Sequence, residues 1–314
     1  MMNGSLNESG DYTGTLPADC VGLRLDAALA RMFPEHSRSR LQGWLKDGLI
    51  RVDGAAADAK RKVLGGERIE FAAVPPAPTF SAAAEDIALP IVFEDDDLIV
   101  IDKPAGLVVH PGNGNPSGTL MNALLHHAPA LAFVPRAGIV HRLDKETSGL
   151  LVVAKTLAAQ TDLVRQLQAR TVKRHYLALA LGQVERDGSV DAPIGRHPVQ
   201  RIKMAVVHGS RGKEARTHYH VLERFERATL LECRLETGRT HQIRVHLASI
   251  GHPLAGDPVY GKTKSGDARL DAFHRQALHA WRLALRHPAG GAEMAWESPL
   301  PEDFAALLEA LRHG

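Results

Sequence analysis

The spacing of apolar residues changes along the chain and separates it into segments. Residues 1–21 are rich in Gly, Ser, Asn and Asp and show no periodicity, which is typical of a disordered tail. Residues 22–74 show helical spacing twice, and two short strand-like runs follow. The apolar positions of the two helices are Leu25, Leu29, Phe33, Leu41, Trp44 and Leu45. This pattern predicts a small N-terminal α/β domain.

A proline- and alanine-rich segment, residues 75–88, follows the small domain and is predicted to be a linker. Residues 89–314 contain more strand-like runs than helical ones, and the two kinds do not alternate regularly. One such run, residues 173–181, places Tyr176 and Ala178 on the same face of a strand. A second domain of the α+β class, built around a largely antiparallel mixed sheet, is therefore expected.

Three helices are predicted in this larger domain from capping residues and apolar stripes. Thr156, Thr240 and Pro301 are expected to begin them, and Gly251 is expected to end the second. The stripes predicted to face the core are Leu163, Val164 and Leu167 in the first helix, Ile243, Leu247 and Ile250 in the second, and Phe304, Leu307, Leu308 and Leu311 in the third. One apolar stripe per helix fits packing against a sheet.

The composition adds limits on the class of protein. Of the 314 residues, 44% are hydrophobic and 24% are charged, which is ordinary for a soluble globular protein. The net charge of +2 does not by itself indicate a nucleic-acid ligand, because that inference depends on where the charges lie. No apolar run approaches the roughly 18 residues of a membrane span, and the N-terminus lacks a secretory pattern. Two cysteines, Cys20 and Cys233, predict no disulfide framework, so a cytoplasmic protein without membrane association is expected.

The segment from Gly138 to Lys155 is the most informative part of the chain for chemistry. Arg142 and Asp144 lie two residues apart between two short apolar runs, with turn-forming residues just after them. Asp144 is therefore expected on a turn at the edge of a sheet. A carboxylate with an arginine nearby can stay ionised and act as a nucleophile. Capping of the turn by the Asp144 side chain is the alternative.

This segment, with its His141-Arg142-Leu143-Asp144 sequence, resembles the signature of the large-ribosomal-RNA pseudouridine synthases, the RluA/RluD family. Three further blocks resemble the same family in the same order, and the RluD type is the form they match. These blocks are the strand around Tyr176, the stretch from Leu235 through Arg239, His241 and Arg244 to Leu247, and the stretch from Gly256 to Gly261. The resemblance extends from about Val21 to the end of the chain.

The resemblance implies roles for individual residues. Asp144 would be the essential catalytic aspartate, Arg244 would pair with its carboxylate, and Tyr176 would lie against the uracil. Arg142 would enter the RNA where the base had been and contact a backbone phosphate. From the residues alone, Arg244 could equally be a surface charge and Tyr176 a core tyrosine. His141 could pack structurally or act as a general base.

The small domain resembles the RNA-binding domain of the S-four type. Its predicted RNA contacts are Arg24, Arg38, Arg40, Lys46 and Lys60. A second basic stretch, residues 196–216, includes Arg201 and Lys203 and is predicted to form a loop or hairpin that closes over RNA. The alternative for both groups is an ordinary solvated charged surface.

Together these features predict a pseudouridine synthase that acts on 23S ribosomal RNA of the large ribosomal subunit. The RluD resemblance implies the helix 69 stem-loop as the target, and a stacked uridine would have to be flipped out of its stem. No cofactor is expected because nothing is exchanged with a second substrate, and the 17 histidines lack metal-binding spacings. No obligate protein partner is evident. Synthases for other ribosomal or transfer RNA sites, and a non-catalytic RNA-binding assembly factor, are the alternatives.

Overall fold

A computed structural model describes residues 4–6, 12–33, 36, 38–71, 82–112, 114–200, 203–261 and 264–313. Within these ranges, no helix combines the length and the apolar character that a bilayer crossing requires. The elements of the small domain are β1 (Gly4–Leu6), β2 (Tyr12–Thr15), α1 (Leu25–Met32), α2 (Arg38–Lys46), β3 (Ile50–Val52) and β4 (Arg68–Phe71). The strands form one antiparallel sheet in the order β1-β2-β4-β3.

The core of the small domain begins earlier in the sequence than its periodicity indicated. Tyr12, Leu16 and Cys20 are buried against the apolar residues of α1 and α2, and β2 pairs with β4. The prediction of a disordered tail is therefore wrong for residues 4–6 and 12–21. Only every second residue of β2 is buried, and so short a run gives no detectable periodicity.

The end of the predicted linker is also ordered. The Asn122 side-chain amide donates to the carbonyl oxygen of Ala83 at 2.7 Å, and the Glu85 carboxylate accepts from the amide of Gly118. Leu89 packs against the main core of the large domain. The linker prediction is therefore wrong for residues 82–88, while residues 75–81 lie outside the described part of the chain.

The large domain is a mixed sheet with helices against it. Its elements in chain order are β5 (Ile91–Glu94), β6 (Leu98–Lys103), α3 (Leu120–His127), β7 (Ser148–Ala154), α4 (Leu157–Gln168), β8 (Lys173–Leu181), β9 (Gly188–Asp191), β10 (Ile194–Arg196), β11 (Met204–Val206), β12 (Arg216–Arg224), β13 (Ala228–Leu235), α5 (Gln242–Ser249), α6 (Ala268–Asp271), β14 (Leu278–Arg286), β15 (Glu293–Glu297) and α7 (Glu302–Arg312). The strands β10 and β11 form a separate hairpin.

The main sheet confirms the predicted α+β class. Its strand order is β5-β6-β7-β14-β8-β13-β12-β9, with β15 paired to β14. Only the β7–β14 pairing is parallel, so the sheet is largely antiparallel and mixed. Gly149 makes that pairing possible, because its φ is +109° and a Cβ would lie 2.3 Å from the carbonyl oxygen of Ala280. The start of β7, four residues after Asp144, thus lies tight against β14.

The predicted helices are present, with two corrections at their surfaces. The Thr156 hydroxyl accepts from the amide of Ala159 and caps α4 as expected. The predicted apolar stripe of α7 is buried throughout. Val164 of α4 and Ile250 after α5 are more than one third exposed, so their predicted burial is wrong. Periodicity identified the buried face of each helix but not which residues at the edge of that face are exposed.

Candidate active site

Asp144 lies in the turn that leads into β7. Its backbone carbonyl oxygen accepts a hydrogen bond from the amide of Thr147 at 3.1 Å, and β7 begins at the next residue. The Asp144 side chain is 15% exposed. The structure thus confirms the predicted turn at the sheet edge. The catalytic role of Asp144 stays a prediction.

A buried lysine supports this turn from beneath. Lys103 is fully buried at the end of β6, and its ammonium donates to the carbonyl oxygens of Pro104, Leu107 and Lys145 at 2.7–3.0 Å. Burial lowers the pKa of Lys103 to about 8. Because Lys145 follows Asp144, the ammonium connects the loop after β6 to the Asp144 turn. Sequence reasoning missed Lys103, although a lysine at the end of an apolar strand and before proline was a visible signal.

Arg244 connects Asp144 to a second carboxylate. Its Nη1 donates to Asp144 Oδ2 at 3.0 Å, while Nε and Nη2 donate to the two oxygens of Asp257 at 2.8 and 2.9 Å. The side chain of Arg244 is 5% exposed and that of Asp257 is fully buried. Arg244 is therefore not the surface charge that was the alternative, and the ion pair implied by the resemblance is present.

Asp257 fixes the direction of the guanidinium that Asp144 meets. Burial alone would raise the pKa of Asp257, but hydrogen bonds and the charge of Arg244 outweigh that effect and lower it. Burial alone would lower the pKa of Arg244, but its hydrogen bonds to Asp257 and Asp144 and their charges raise it above the usual value. Arg244 is therefore permanently charged beside Asp144. Asp257 had been noted only as part of a motif, because its partner is 13 residues away.

His241 and Tyr260 complete the surroundings of Arg244. The Tyr260 hydroxyl lies 2.9 Å from His241 Nδ1 and accepts from the amide of Met204 in β11. The Arg244 guanidinium lies over the Tyr260 ring, 5.1 Å from its centroid. His241 also occupies the N-cap position of α5 in the left-handed conformation, so the prediction that Thr240 caps this helix is wrong. Tyr260 thus connects the β10–β11 hairpin to the ion pair.

A cleft of about 570 Å³ opens above these residues. Six arginines, three histidines and only two carboxylates line it, so its walls favour an anionic ligand. These lining residues are Arg136, Arg142, Arg170, Arg174, Arg239, Arg244, His110, His141, His241, Asp144 and Glu236. Over the described ranges of the chain, no three His, Cys, Asp or Glu side chains are grouped so that they could hold a metal ion. The cleft therefore suits a polyanionic ligand, and it presents one carboxylate, that of Asp144, at its floor.

Tyr176 belongs both to the core and to this cleft. It is 5% exposed and packs in the main core, yet it lines the cleft with Ile243 and Leu278. Burial raises the pKa of Tyr176, so its phenol is neutral at physiological pH. Together these side chains form an apolar surface close to Asp144, suited to a flat ring.

Arg142 and His141 are neighbours with different surroundings. Arg142 is exposed at the cleft and forms no hydrogen bond or ion pair within the described chain. His141 Nε2 accepts from the amide of Val152 in β7 at 3.2 Å. Burial, with the charge of Arg174, lowers the pKa of His141 to about 3. His141 is therefore neutral and supports β7 structurally, while Arg142 is available to a ligand.

The predicted RNA-contacting side chains of the small domain differ in their interactions with the rest of the protein. Arg24 and Arg38 both bind the buried carboxylate of Asp26, at 2.9 and 2.6 Å. Arg40 lies over the ring of Trp44. Lys46 and Lys60 are exposed. Their side chains are thus at least partly accessible, and their contacts with RNA stay predictions.

The second predicted group of RNA contacts lies on or near the β10–β11 hairpin. Arg196 pairs with Met204 across the two strands, and Lys203 is partly exposed just before β11. Arg201 lies outside the described residues. Arg216, by contrast, belongs to β12 and binds Asp191 and Glu236. The predicted basic loop is therefore a hairpin plus the start of a separate strand.

Comparison with known proteins is consistent with this geometry. The profile of the family described as RNA pseudouridylate synthase matches residues 97–249, and that of the S4 domain matches residues 23–69. A Nitrosomonas europaea protein named ribosomal large subunit pseudouridine synthase D is 65% identical over 302 residues, which cover 95% of this chain and 87% of that protein. The chain belongs to the RNA pseudouridylate synthase family.

Two further similarities cover most of the chain. The protein of the same name from Pseudomonas aeruginosa is 56% identical over 305 residues, covering 95% of this chain and 94% of the relative. The solved structure of human RNA pseudouridylate synthase domain containing 4 superposes with a TM-score of 0.56 at 28% identity, covering 71% of this chain and 92% of that one. As a family member, the chain is an RNA pseudouridine synthase, an isomerase with an S-four-type N-terminal domain.

Proposed function

We propose that this synthase isomerises uridines in 23S ribosomal RNA, in the helix 69 stem-loop, with Asp144 as the nucleophile. The observation that carries the proposal is the carboxylate of Asp144, held by Arg244 at the floor of a basic cleft. The names of the relatives refer to the ribosomal large subunit, which supports 23S RNA as the substrate. The RluD resemblance of the sequence supports the particular stem-loop. The large ribosomal subunit in the cytoplasm would be its partner.

A uridine stacked in an RNA stem does not present its reacting bonds, so the uridine enters the cleft after flipping. Arg142, exposed and unpaired within the described chain, fills the space left in the stem and contacts a phosphate. The flipped uracil lies against Tyr176, with Ile243 and Leu278 excluding water around it. A neutral phenol there adds no charge that would repel the ring's carbonyl oxygens.

Asp144 then drives the isomerisation. Arg244 binds Asp144 Oδ2, which keeps the carboxylate ionised and fixes its direction, while Oδ1 lies 3.9 Å from His241 Nε2. The glycosidic bond between ribose and the ring nitrogen breaks, the uracil turns, and a bond forms between ribose and a ring carbon. That carbon loses its proton and the freed ring nitrogen gains one. No atom is gained or lost overall. Asp257 keeps Arg244 aligned throughout, because it holds the other two donors of the guanidinium.

The small domain would dock the RNA that surrounds the target. It has a hydrophobic core of its own, and its arginines Arg24 and Arg38 are held side by side by Asp26. We propose that residues 12–71 act as this docking domain and that the large domain extends from residue 82 to the C-terminal helix. Phosphate contacts of this kind position RNA without reading its sequence.

Mapping of pseudouridines tests the proposal directly. Purified protein is incubated with unmodified 23S RNA transcript, and carbodiimide treatment with primer extension locates the products. Modification in helix 69 is expected, together with its loss in RNA from a strain that lacks the gene. Products only at other ribosomal or transfer RNA sites would contradict the target. The absence of any product, with RNA binding retained, would favour a non-catalytic assembly factor.

A further inference from the structure

A buried arginine without a carboxylate partner lies beside the proposed uracil site. Arg174 is 7% exposed and lines the cleft from β8, the strand that also carries Tyr176. Its Nε is buried and has no hydrogen-bond partner among the residues that the structure describes. Over the described ranges its guanidinium forms no ion pair, and burial lowers its pKa. Such burial of an unpaired charge is unfavourable unless a ligand supplies the missing partner.

The carboxylates of the cleft are bound elsewhere. Asp144 binds Arg244, and Glu236 binds Arg170 at 3.1 Å and His218 at 2.7 Å. These two are the acidic side chains among the lining residues of the described chain. The protein therefore provides no anion within the cleft for Arg174.

The surroundings of Arg174 hold it in place for a ligand. Gly238 leaves room for the guanidinium, because a Cβ at that position would lie 2.6 Å from Arg174 Nη1. His141, whose pKa is lowered by burial and by the charge of Arg174, is neutral and adds no second positive charge beside it. Tyr176 lies two residues further along the same face of the strand, roughly 6.6 Å away at the usual rise. A ring on Tyr176 therefore places its own nucleotide backbone within reach of Arg174.

We propose that Arg174 binds a phosphodiester group of the RNA strand that carries the target uridine, adjacent to the flipped nucleotide. The proposal rests on the proposed function of the cleft. A guanidinium offers paired donors that match two phosphate oxygens, and phosphate brings the full negative charge that uracil lacks. Arg174 thus differs from Arg142, which is exposed. It is a preformed anchor that fixes the position of the nucleotide relative to Asp144.

The first test measures RNA affinity against salt concentration. Arg174→Met and Arg174→Lys are compared with the wild type and with Arg312→Met, a control on α7 whose arginine binds Glu223. The probes are a synthetic helix 69 stem-loop and the complete 23S transcript. Arg174→Met is expected to weaken binding roughly 10- to 100-fold and to lower the slope of log affinity against log salt by about 0.7–0.9. Arg174→Lys should recover part of both effects, and Arg312→Met should change neither.

The second test identifies the phosphate. Single methylphosphonate groups, which are uncharged, replace each phosphate around the target uridine in the stem-loop. At one position the substitution should weaken wild-type binding and should not weaken Arg174→Met further. An unchanged salt slope in a folded Arg174→Met protein, or additive losses at every position, would overturn the proposal. If Arg174→Met does not fold, the same cycle is measured with Arg174→Lys.

Failure of this proposal can be told apart from failure of the proposed function. Binding and salt dependence require no turnover, so they report on Arg174 even if no pseudouridine is formed. In a turnover assay, loss of an anchoring phosphate contact should raise KM more than it lowers kcat. A fall in kcat alone, with unchanged affinity, would contradict phosphate binding while leaving the synthase activity established.

Discussion

The two domains use the same pair of residue types in opposite arrangements. In the small domain one buried carboxylate, Asp26, binds Arg24 and Arg38, whose side chains are 44% and 49% exposed. In the cleft one buried guanidinium, Arg244, binds Asp257 and Asp144. Each central group binds two partners of opposite charge. Arg24 and Arg38 are exposed, whereas Asp144 lines the cleft and Asp257 is fully buried.

The two arrangements offer opposite charges to a ligand. A buried aspartate holds two arginines towards solvent, which suits contact with phosphate. A buried arginine leaves a carboxylate at the cleft floor, which suits chemistry on a base. Both central groups are buried, so the sign of the central group decides whether its outer partners offer positive or negative charge.

The largest expected effect comes from removing the outer carboxylate of the cleft. Asp144→Asn keeps the size of the side chain and should abolish pseudouridine formation by at least about 10⁴-fold, as for other essential nucleophiles. RNA affinity and thermal stability should stay close to wild type, because Asp257 still holds Arg244. Single-turnover product assays and binding measurements check both expectations. Appreciable turnover by this variant would refute the nucleophile assignment.

Removal of the central guanidinium should have the next largest effect. Arg244→Met leaves Asp257 buried without its ion-pair partner and should cost about 3–5 kcal/mol of stability. Turnover should fall roughly 10²- to 10³-fold because Asp144 loses its alignment.

A double variant separates the two consequences of losing Arg244. In Arg244→Met/Asp257→Asn the unpaired buried carboxylate is absent. The free energy of unfolding should therefore recover most of its wild-type value, while turnover remains low. Thermal unfolding and product formation are measured for both variants and for Asp257→Asn alone. Recovery of turnover along with stability would show that Arg244 acts only on the fold.

Parts of both arrangements could be foreseen from the sequence and parts could not. The turn at Asp144, the strand of Tyr176 and the helix of Arg244 follow from local periodicity and turn residues, and all three are present. Asp26 lies within a predicted helix, and periodicity gave no indication that its carboxylate is buried under two arginines.

Buried polar groups were the main omission. Lys103 and Arg174 occupy strand positions, and alternation places Arg174 on the same face as Tyr176. Whether such a residue is paired depends on side chains distant in sequence, which periodicity does not report. The tail was missed for a similar reason, because Tyr12 and Leu16 become core residues only through pairing with β4.

Acid should destabilise both regions through their buried aspartates. Burial alone would raise the pKa of Asp26, but hydrogen bonds from two arginines and a glutamine outweigh it and lower the pKa. The pKa of Asp257 is lowered as well. Because both folded-state values lie below the unfolded value near 4, their stabilising contributions are present above about pH 5 and are lost as pH falls.

Hydrogen exchange with mass spectrometry can assign these losses to each domain between about pH 2 and 6, the range in which the contributions are being lost. Asp26→Asn should flatten the pH dependence of protection in peptides of the small domain only. Asp257→Asn should do so in the large domain only. Equal effects of either variant on both sets of peptides would mean that the two regions do not respond separately.

Asp26→Asn should also weaken RNA binding without slowing chemistry. Asparagine accepts fewer charged hydrogen bonds, so Arg24 and Arg38 lose their fixed directions while keeping their charge. An affinity loss of roughly tenfold is expected, equivalent to about 1.4 kcal/mol, with kcat unchanged. Asp47→Asn, at an exposed position just after α2, is the matched control. If kcat falls while affinity holds, Asp26 does not act by orienting the arginines.

The smallest effects are expected at the exposed lysines of the small domain. Within the described part of the chain, Lys46 and Lys60 have no buried carboxylate to fix them. Each must therefore lose side-chain freedom on meeting a phosphate, which reduces its net contribution to binding. Lys46→Gln and Lys60→Gln should each weaken binding by a few fold and lower the salt slope by about 0.7–0.9 if a phosphate is contacted. Affinity titrations at several salt concentrations, with Arg312→Gln as control, measure both quantities. If a lysine variant loses more affinity than Asp26→Asn, the expected order of effects is reversed. The charge of a side chain would then matter more for RNA binding than a fixed direction of that side chain.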